Sequence, residues 1–166
     1  VPMSLDEAFL DVTGSRSLFG DGEAIAHTIR RGVKQELGLT VSVGVSFNKI
    51  FAKLGSDYKK PDAVTVFSRE NYRALVWPQP AANLLYVGRA TAKKLAGIGV
   101  HTIGDLAAAD PAALHMLLGK MGPMLHAYAN GWDRSPVAEY AAREEAKSIG
   151  NMVTAPRDIC TPRDAD

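Results

Sequence analysis

The chain has 166 residues, of which 46% are hydrophobic and 22% charged, and its net charge at pH 7 is +1. This composition excludes a disordered chain, and the length allows one core of ordinary size or two small ones. A single cysteine, Cys160, excludes an internal disulfide and a cysteine-rich zinc site. A single cysteine fits a reducing compartment, so we expect a cytoplasmic protein. No apolar run approaches the roughly 20 residues that cross a bilayer, so we expect no membrane contact.

Basic residues are locally concentrated, although the net charge is close to zero. Between residues 48 and 73, six Lys and Arg residues outnumber three acidic residues. A second cluster, formed by Arg89, Lys93 and Lys94, contains no acidic residue. Local basic clusters are typical of surfaces that bind phosphate groups, which the net charge alone would not have indicated.

The first half of the chain predicts strands that alternate with helices. Apolar residues recur every four positions from Ile25 to Leu37, which is the pattern of one helical stripe, and Gly38 ends it. β-branched residues in alternation indicate the strands. The predicted order is strand 5–12, helix 22–37, strand 40–46, helix 47–58 and strand 63–67.

The second half predicts short helices only. Prolines at 78 and 80 interrupt regular structure, so we expect a domain boundary near Trp77. Asp110 followed by Pro111 is a helix start signal. The predicted helices span 90–96, 102–108, 111–118 and 122–129. Residues 141–147 have a linker composition, and the remainder is too short to fold alone. Since the chain also begins without Met inside a predicted strand, we expect a piece of a longer protein.

The adjacent carboxylates of Asp6 and Glu7 form the first candidate site. A strand interior is unfavourable for Asp, so a compensating interaction is expected. Oxygen ligands at the edge of a sheet can hold magnesium ions, which would supply that compensation. The alternative is a solvated strand end or a helix cap, and the pair alone does not distinguish the two.

The second candidate site lies between Ser42 and Pro61. A helix that begins near Asn48 offers free N–H groups and the positive end of its dipole, and Lys60 follows that helix. Such a surface could receive a triphosphate. Alternatively, Ser46 or Asn48 caps the helix, and Lys60 is a solvated loop residue.

The third candidate site is a helix-hairpin-helix pattern between Leu85 and Leu106. A tight turn at Gly88 opens a helix, whose first N–H groups can bind a phosphate whatever the base sequence. Arg89, Lys93 and Lys94 would add positive charge. The alternative is an ordinary antiparallel helix pair with glycine caps.

Four ordered segments of the chain resemble the Y family of translesion DNA polymerases. Residues 4–13, with the sequence SLDEAFLDVT, are similar to the palm signature of that family, and 42–61 to its next palm block. Residues 87–106 resemble the hairpin of the thumb, and 147–150 the lead-in to the little finger. The resemblance implies an α+β fold: a partial palm of mixed sheet and helices over 1–76, an all-helical thumb with a helix-hairpin-helix motif over 77–140, and a truncated little finger over 141–166.

The resemblance also implies roles for individual residues. Asp6 would bind metal, and Glu7 would bind metal and act as the catalytic carboxylate. Lys60 would contact the incoming nucleotide. The residues that would bind DNA are Gly88, Arg89, Thr91 and Lys93. The cofactor would be Mg²⁺, as two ions in the complete enzyme, and the substrates would be primer–template DNA and deoxynucleoside triphosphates. A sliding clamp is a further expected partner, through a C-terminal region of the complete protein outside this segment, and we expect a monomer.

Some features depart from the family pattern. The chain supplies only two of the catalytic carboxylates, so we expect no polymerisation by this segment alone. Tyr86 stands where the hairpin often has Gly, and Phe47 where a polar residue is common.

The rival hypotheses are a non-catalytic, sequence-independent DNA-binding module and a purely structural domain. Trp77 and Trp132 are predicted to be packing anchors.

Overall fold

The computed structural model describes residues 2–139 and Gly150, and the described chain has an α+β fold as predicted. The third predicted unit, apart from Gly150, and Cys160 lie outside the described residues. The helices and strands are α1 (Arg16–Phe19), α2 (Gly22–Leu37), β1 (Val43–Ser46), α3 (Lys49–Tyr58), β2 (Val64–Phe67), α4 (Tyr72–Leu75), α5 (Arg89–Ala96), α6 (Ile103–Ala108), α7 (Pro111–Leu118) and α8 (Met121–Ala129). Short 3₁₀ helices at Thr13–Ser15 and Ala81–Asn83 complete the described elements.

Helix α2 matches its predicted range because both of its ends carry strong local signals. The Asp21 carboxylate accepts a hydrogen bond from the backbone N–H of Ala24 at 2.8 Å, which caps the first turn. Gly38 ends the helix with a φ of 68°, a left-handed conformation that glycine adopts without steric cost. Ile25 is buried, while Leu37 at the other end is exposed.

Strands β1 and β2 form a parallel pair connected by α3. The register runs from Val43 opposite Val64 to Ser46 opposite Phe67. Helix α3 lies directly on β1, since a Cβ added at Gly55 would come within 3.1 Å of the Cα of Gly44. A Cβ added at Gly44 would overlap the backbone of α3. The predicted strand–helix–strand order over 40–67 is therefore confirmed.

The prediction of a strand over 5–12 is wrong. Within residues 2–12 the structure has a single isolated bridge, between Pro2 and Ala8. The backbone N–H groups of Met3 and Ser4 both donate to the carbonyl of Glu7, at 2.7 and 3.2 Å, so this part of the chain turns back on itself. An alternating sequence becomes a strand only where a neighbouring strand receives its hydrogen bonds, and in the described chain β1 pairs with β2 instead.

The four helices predicted for the second half are confirmed to within one residue at each end. Asp110 caps α7 through the N–H groups of Ala112 and Ala113, and Pro111 occupies the first helical position. Thr102 and Asp105 form a reciprocal capping box at the start of α6. The short helix α4 was not predicted, because one helical turn carries no readable periodicity.

One hydrophobic core runs through both halves of the described chain. Phe51 and Phe67 from the first half and Leu95, Ile103 and Leu125 from the second are fully buried members of the same cluster. The boundary predicted near Trp77 coincides with no break in this cluster, and the division into 1–76 and 77–140 stays a prediction. No helix among the described residues is long and apolar enough to cross a membrane.

The two tryptophans have different environments. Trp77 packs against the core and donates its indole N–H to the carbonyl of Ala129 at 3.1 Å, so it is the predicted packing anchor. Trp132 is 63% exposed, and its ring contact is with His126 at 5.7 Å between centroids. The prediction that Trp132 anchors the packing is therefore wrong.

Candidate functional site

Residues 2–12, which we call the acidic segment, are joined to the middle of α3 by an ion pair that belongs to a longer network. The Nζ atom of Lys53 lies 2.7 Å from Glu7 Oε1 and 2.7 Å from Asp57 Oδ2. Asp57 Oδ1 in turn lies 2.6 Å from Lys60 Nζ. The structure thus brings Glu7 and Lys60 onto one surface, linked through Lys53 and Asp57. The catalytic hypothesis requires that Asp6 and Glu7 share a surface with Lys60, and this arrangement is consistent with it.

Lys53 and Asp57 keep their charges because each compensates the other. Burial alone would lower the pKa of the Lys53 ammonium, but the hydrogen bonds and charges of Asp57 and Glu7 outweigh it and raise that pKa. Burial would likewise raise the pKa of the Asp57 carboxyl, and the hydrogen bonds of Lys53 and Lys60 bring it below its usual range. Both groups are therefore ionised at neutral pH.

Asp6 is exposed and has its own stabilising contact. The Ser4 hydroxyl donates a hydrogen bond to Asp6 Oδ1 at 2.7 Å. This bond is the main cause that lowers the pKa of the Asp6 carboxyl, and the positive charges of Lys60 and Lys53 act in the same direction. Asp6 is consequently an exposed carboxylate, which is the state that a metal ligand needs.

The acidic pair fits magnesium in chemical type but supplies only part of a site. Asp6 and Glu7 provide oxygen atoms, which magnesium prefers over nitrogen or sulfur. Among the described residues there is no group of three or more His, Cys, Asp or Glu side chains placed to hold a metal ion. The chain could therefore contribute two carboxylates to a metal site that needs further ligands.

The loop that carries Lys60 is fixed to α2 by a second set of ion pairs. Asp62 Oδ2 lies 2.7 Å from Lys34 Nζ, and Asp62 Oδ1 lies 3.2 Å from Arg30 Nε. The hydrogen bond from Lys34 is the largest cause of the lowered pKa of Asp62. Lys60 itself is about half exposed, so its ammonium group remains open to a ligand.

Residues 84–106, which we call the hairpin segment, contain the predicted helix-hairpin-helix. Gly88 precedes α5 and leaves its first N–H groups without a side-chain cap. Gly88 is exposed, and a Cβ added there would meet no atom within 4 Å. Arg89 and Lys93 are exposed and one helical turn apart, so they share a face of α5, whereas Thr91 is half-buried. The start of α5 is thus open, basic and rich in unpaired donors.

The turn before α5 has an unusual backbone. The N–H of Val87 donates to the carbonyl of Leu84 at 3.0 Å, which closes a four-residue turn. Tyr86, the third residue of that turn, has a φ of 71°. This left-handed conformation favours glycine. Position 86 is also the place at which the hairpin of the family that the chain resembles often has glycine. The chain therefore keeps the backbone shape of a glycine turn with a tyrosine in it.

The two helices of the hairpin segment are held by a second turn and by the core. Val100 N–H donates to the carbonyl of Leu95 at 3.0 Å, and Gly99 has a φ of 79°. Leu95, Ile103 and Leu106 are fully buried. Because the interior of the segment is fixed in this way, the exposed start of α5 stands on a rigid support.

Residues near the start of α3 have structural contacts. The Asn48 side chain accepts from the N–H of Phe51 at 2.8 Å and donates to the carbonyl of Gly131 at 3.1 Å, so Asn48 is a helix cap. Ser46 donates to the carbonyl of Phe67 at 2.7 Å. Phe47 packs edge-on against the ring of Phe51. The alternative interpretation of a cap is therefore correct for Asn48, and the start of α3 presents fewer free donors than the triphosphate hypothesis assumed.

Lys53 and Asp57 lie within the second candidate site, but sequence reasoning gave them no role in joining the acidic segment to Lys60. Their spacing of four residues on one helix was the available signal, since such pairs face each other. The spacing does not indicate that Glu7, 46 positions away, completes the network. That contact depends on the tertiary structure.

Two family models match the chain. Residues 1–57 match the impB/mucB/samB family, and residues 83–133 match the thumb domain of DNA polymerase iota. Among curated relatives, DNA polymerase IV of Acetivibrio thermocellus is 54% identical over 160 residues, which cover 96% of this chain and 40% of that protein. DNA polymerase IV of Halorhodospira halophila is 46% identical over 149 residues, 90% of this chain and 41% of the relative. The chain thus spans about 40% of these relatives' length.

Solved structures of DNA polymerases also match most of this chain. DinB from Sulfolobus solfataricus matches 81% of this chain with a TM-score of 0.71 and 26% identity, over 40% of its own length. The insertion ternary complex of Dbh DNA polymerase matches 77% of this chain with a TM-score of 0.69 and 26% identity, over 38% of its length.

Proposed function

We propose that this chain, which belongs to the Y family of DNA polymerases, forms part of the palm and the thumb of a DNA-directed DNA polymerase that performs translesion synthesis during DNA repair. The observation that carries this proposal is the ion-pair network from Glu7 through Lys53 and Asp57 to Lys60, beside the exposed carboxylate of Asp6. It supplies candidate metal ligands and a candidate phosphate-binding cation on one surface.

Asp6 and Glu7 would hold magnesium in the complete enzyme. Two bound magnesium ions would favour attack by the primer hydroxyl and stabilise the leaving pyrophosphate. Glu7 would also accept the proton of that hydroxyl, since a carboxylate next to the reacting oxygen can act as a general base. Lys53 would hold the Glu7 carboxylate in position through its contact at 2.7 Å.

Lys60 would bind the triphosphate of the incoming nucleotide. In the structure it pairs with Asp57, and the two side chains are 53% and 43% exposed. An exposed pair of this kind is worth about 1 kcal/mol or less. Since a triphosphate carries several negative charges, it can displace Lys60 from Asp57 at small cost, and Lys53 still neutralises Asp57 afterwards.

The hairpin segment would bind the DNA backbone independently of base sequence. The unpaired N–H groups at the start of α5 and the exposed side chains of Arg89 and Lys93 can all contact phosphates, and phosphate contacts carry no direct base-sequence information. Thr91 is a weaker candidate because it is half-buried. Sequence-independent binding suits an enzyme that copies any template.

We also propose that this chain alone does not polymerise DNA, because Asp6 and Glu7 are only two candidate ligands and the described residues contain no group of three that could hold a metal ion. A cytoplasmic location, a monomeric state and contact of the complete protein with a sliding clamp are further proposals. The second candidate function is a non-catalytic DNA-binding module, which the open start of α5 favours. Such a module would bind DNA equally well with and without magnesium.

Primer extension tests the catalytic assignment. The chain would be extended at both ends to the length of its relatives, and Asp6→Asn and Glu7→Gln would be compared with the unmodified protein in magnesium. Either change should lower the extension rate by roughly 100-fold or more while primer–template binding persists. Asp11→Asn is the matched control. Asp11 is an exposed carboxylate of the same segment, and it accepts a hydrogen bond from the backbone N–H of Thr13. Unchanged extension by both variants, or no extension by the unmodified protein, would leave only the DNA-binding module.

A further inference from the structure

Tyr86 holds a backbone conformation that is unfavourable for tyrosine. Its φ of 71° lies in the left-handed region, which L residues other than Gly, Asn and Asp seldom occupy. Its neighbours Leu84 and Val87 are buried and fix the turn on either side. The turn would therefore form more easily with glycine at this position, and the tyrosine side chain has no part in making the turn.

The Tyr86 side chain is not used by the core either. It is 57% exposed, and within the described chain its hydroxyl has no hydrogen-bond partner. Among the described residues its one ring contact is with Tyr128 on α8, with centroids 6.0 Å apart and planes tilted by 34°. Burial, and then the charge of Asp133, raises the pKa of the Tyr128 hydroxyl, so Tyr128 is neutral at physiological pH. The pair is a supported, exposed aromatic surface.

This aromatic surface adjoins the open start of α5. Tyr86 precedes Gly88 by two residues, and the exposed cations of Arg89, Lys93 and Lys94 follow on the first two turns of the helix. A partner at this place meets unpaired N–H groups, positive charge and one ring with a free hydroxyl. A sugar–phosphate backbone matches all three, because its phosphates pair with the donors and cations while its sugars offer an apolar face.

We propose that Tyr86 is a DNA contact, with its ring against a deoxyribose and its hydroxyl donating to a phosphate next to the one bound at the start of α5. Tyr128 is the positioning residue that holds the ring in place. The inference rests on the proposed DNA binding by the hairpin segment and extends it to a residue at which this chain departs from the family pattern.

The test is a pair of measurements on Tyr86→Gly in the same 166-residue chain. The dissociation constant for a primer–template duplex should rise by about tenfold, since a charge-assisted hydrogen bond and an aromatic contact are lost. The slope of log affinity against log salt should stay unchanged, because tyrosine carries no charge that releases counterions. The melting temperature should stay within about 3 °C, since relief of the left-handed strain offsets the lost ring contact.

Tyr86→Asn is a second variant, because Asn also tolerates the left-handed region. Met116→Ala is the matched control: it removes another exposed large side chain of the helical half, 86% exposed on α7, and should leave the affinity unchanged. Affinities of Tyr86→Gly and Tyr86→Asn equal to that of the unmodified chain would overturn the contact and leave the proposed DNA binding intact. Failure of the unmodified chain to bind the duplex would overturn both.

Discussion

The acidic segment and the hairpin segment carry the two halves of the proposed function, yet they are held in very different ways. In the hairpin segment, four fully buried side chains, a capping box and two hydrogen-bonded turns fix the backbone around the start of α5. In the acidic segment, Met3, Leu5 and Leu10 are exposed, and an ion pair of Glu7 with Lys53 links the segment to α3. The proposed DNA-binding surface is therefore fixed largely by local contacts, whereas the position of the proposed metal-binding carboxylates depends on a contact distant in sequence.

Matched leucine substitutions should give the largest difference between the two segments. Leu95→Ala removes a side chain with no exposure, and we expect it to lower the free energy of unfolding by about 2–5 kcal/mol. Leu10→Ala changes a side chain that is 64% exposed and should cost less than about 0.5 kcal/mol. Urea denaturation of both variants measures the difference. Equal effects would mean that the acidic segment is packed as firmly as the hairpin segment.

Removal of one hydroxyl from each segment should show the same contrast, with smaller changes in the free energy of unfolding. Thr102 caps α6 by accepting from the N–H of Asp105 at 3.0 Å, so Thr102→Ala should cost about 1 kcal/mol. Ser4→Ala removes a hydrogen bond to an exposed carboxylate, and the free energy of unfolding should change by less than about 0.5 kcal/mol. Thermal unfolding provides the measurement. A larger loss for Ser4→Ala would contradict the contrast.

The smallest of the predicted effects is a change in the free energy of unfolding with pH. It comes from Lys53 and Asp57, which lie where α3 meets the acidic segment. The pKa of Asp57 lies below its usual 3.8 in the folded chain, so its contribution is present above about pH 4 and is lost as the pH falls through the folded value. The pKa of Lys53 lies above 10.5, so its contribution is present below that pH and is lost as the pH rises further.

The Asp57 contribution should be less than about 1 kcal/mol, because its side chain is 43% exposed. In Lys53→Met the acid-side loss of stability should become shallower, since Asp57 then keeps Lys60 alone as its partner. Urea denaturation at a series of pH values between 2 and 7 measures the acid-side loss of stability in both proteins. Lys120→Met, which changes an exposed lysine without a salt bridge in the described chain, is the control. An unchanged acid profile in Lys53→Met would contradict the network.

The same contrast explains what the sequence could predict. Helices satisfy their own backbone hydrogen bonds, so caps such as Asp21, Asp110 and Gly38 predict their ends almost to the residue. The strand predicted over 5–12 failed because a strand needs a partner that its own residues do not specify. Lys53 was missed as a link to Glu7 for the same reason. Tyr86 was identified as a departure from the family, but its left-handed backbone became visible only in the structure.

The most direct test of the central claim is the salt dependence of duplex binding by this chain. We would compare the unmodified chain with Arg89→Ala/Lys93→Ala and with Asp6→Asn/Glu7→Gln. The account predicts that the first pair reduces the slope of log affinity against log salt by about 1.8, the value for two phosphate contacts, while the second pair leaves the slope unchanged. A slope that is unaffected by loss of Arg89 and Lys93 would contradict DNA binding by the hairpin segment.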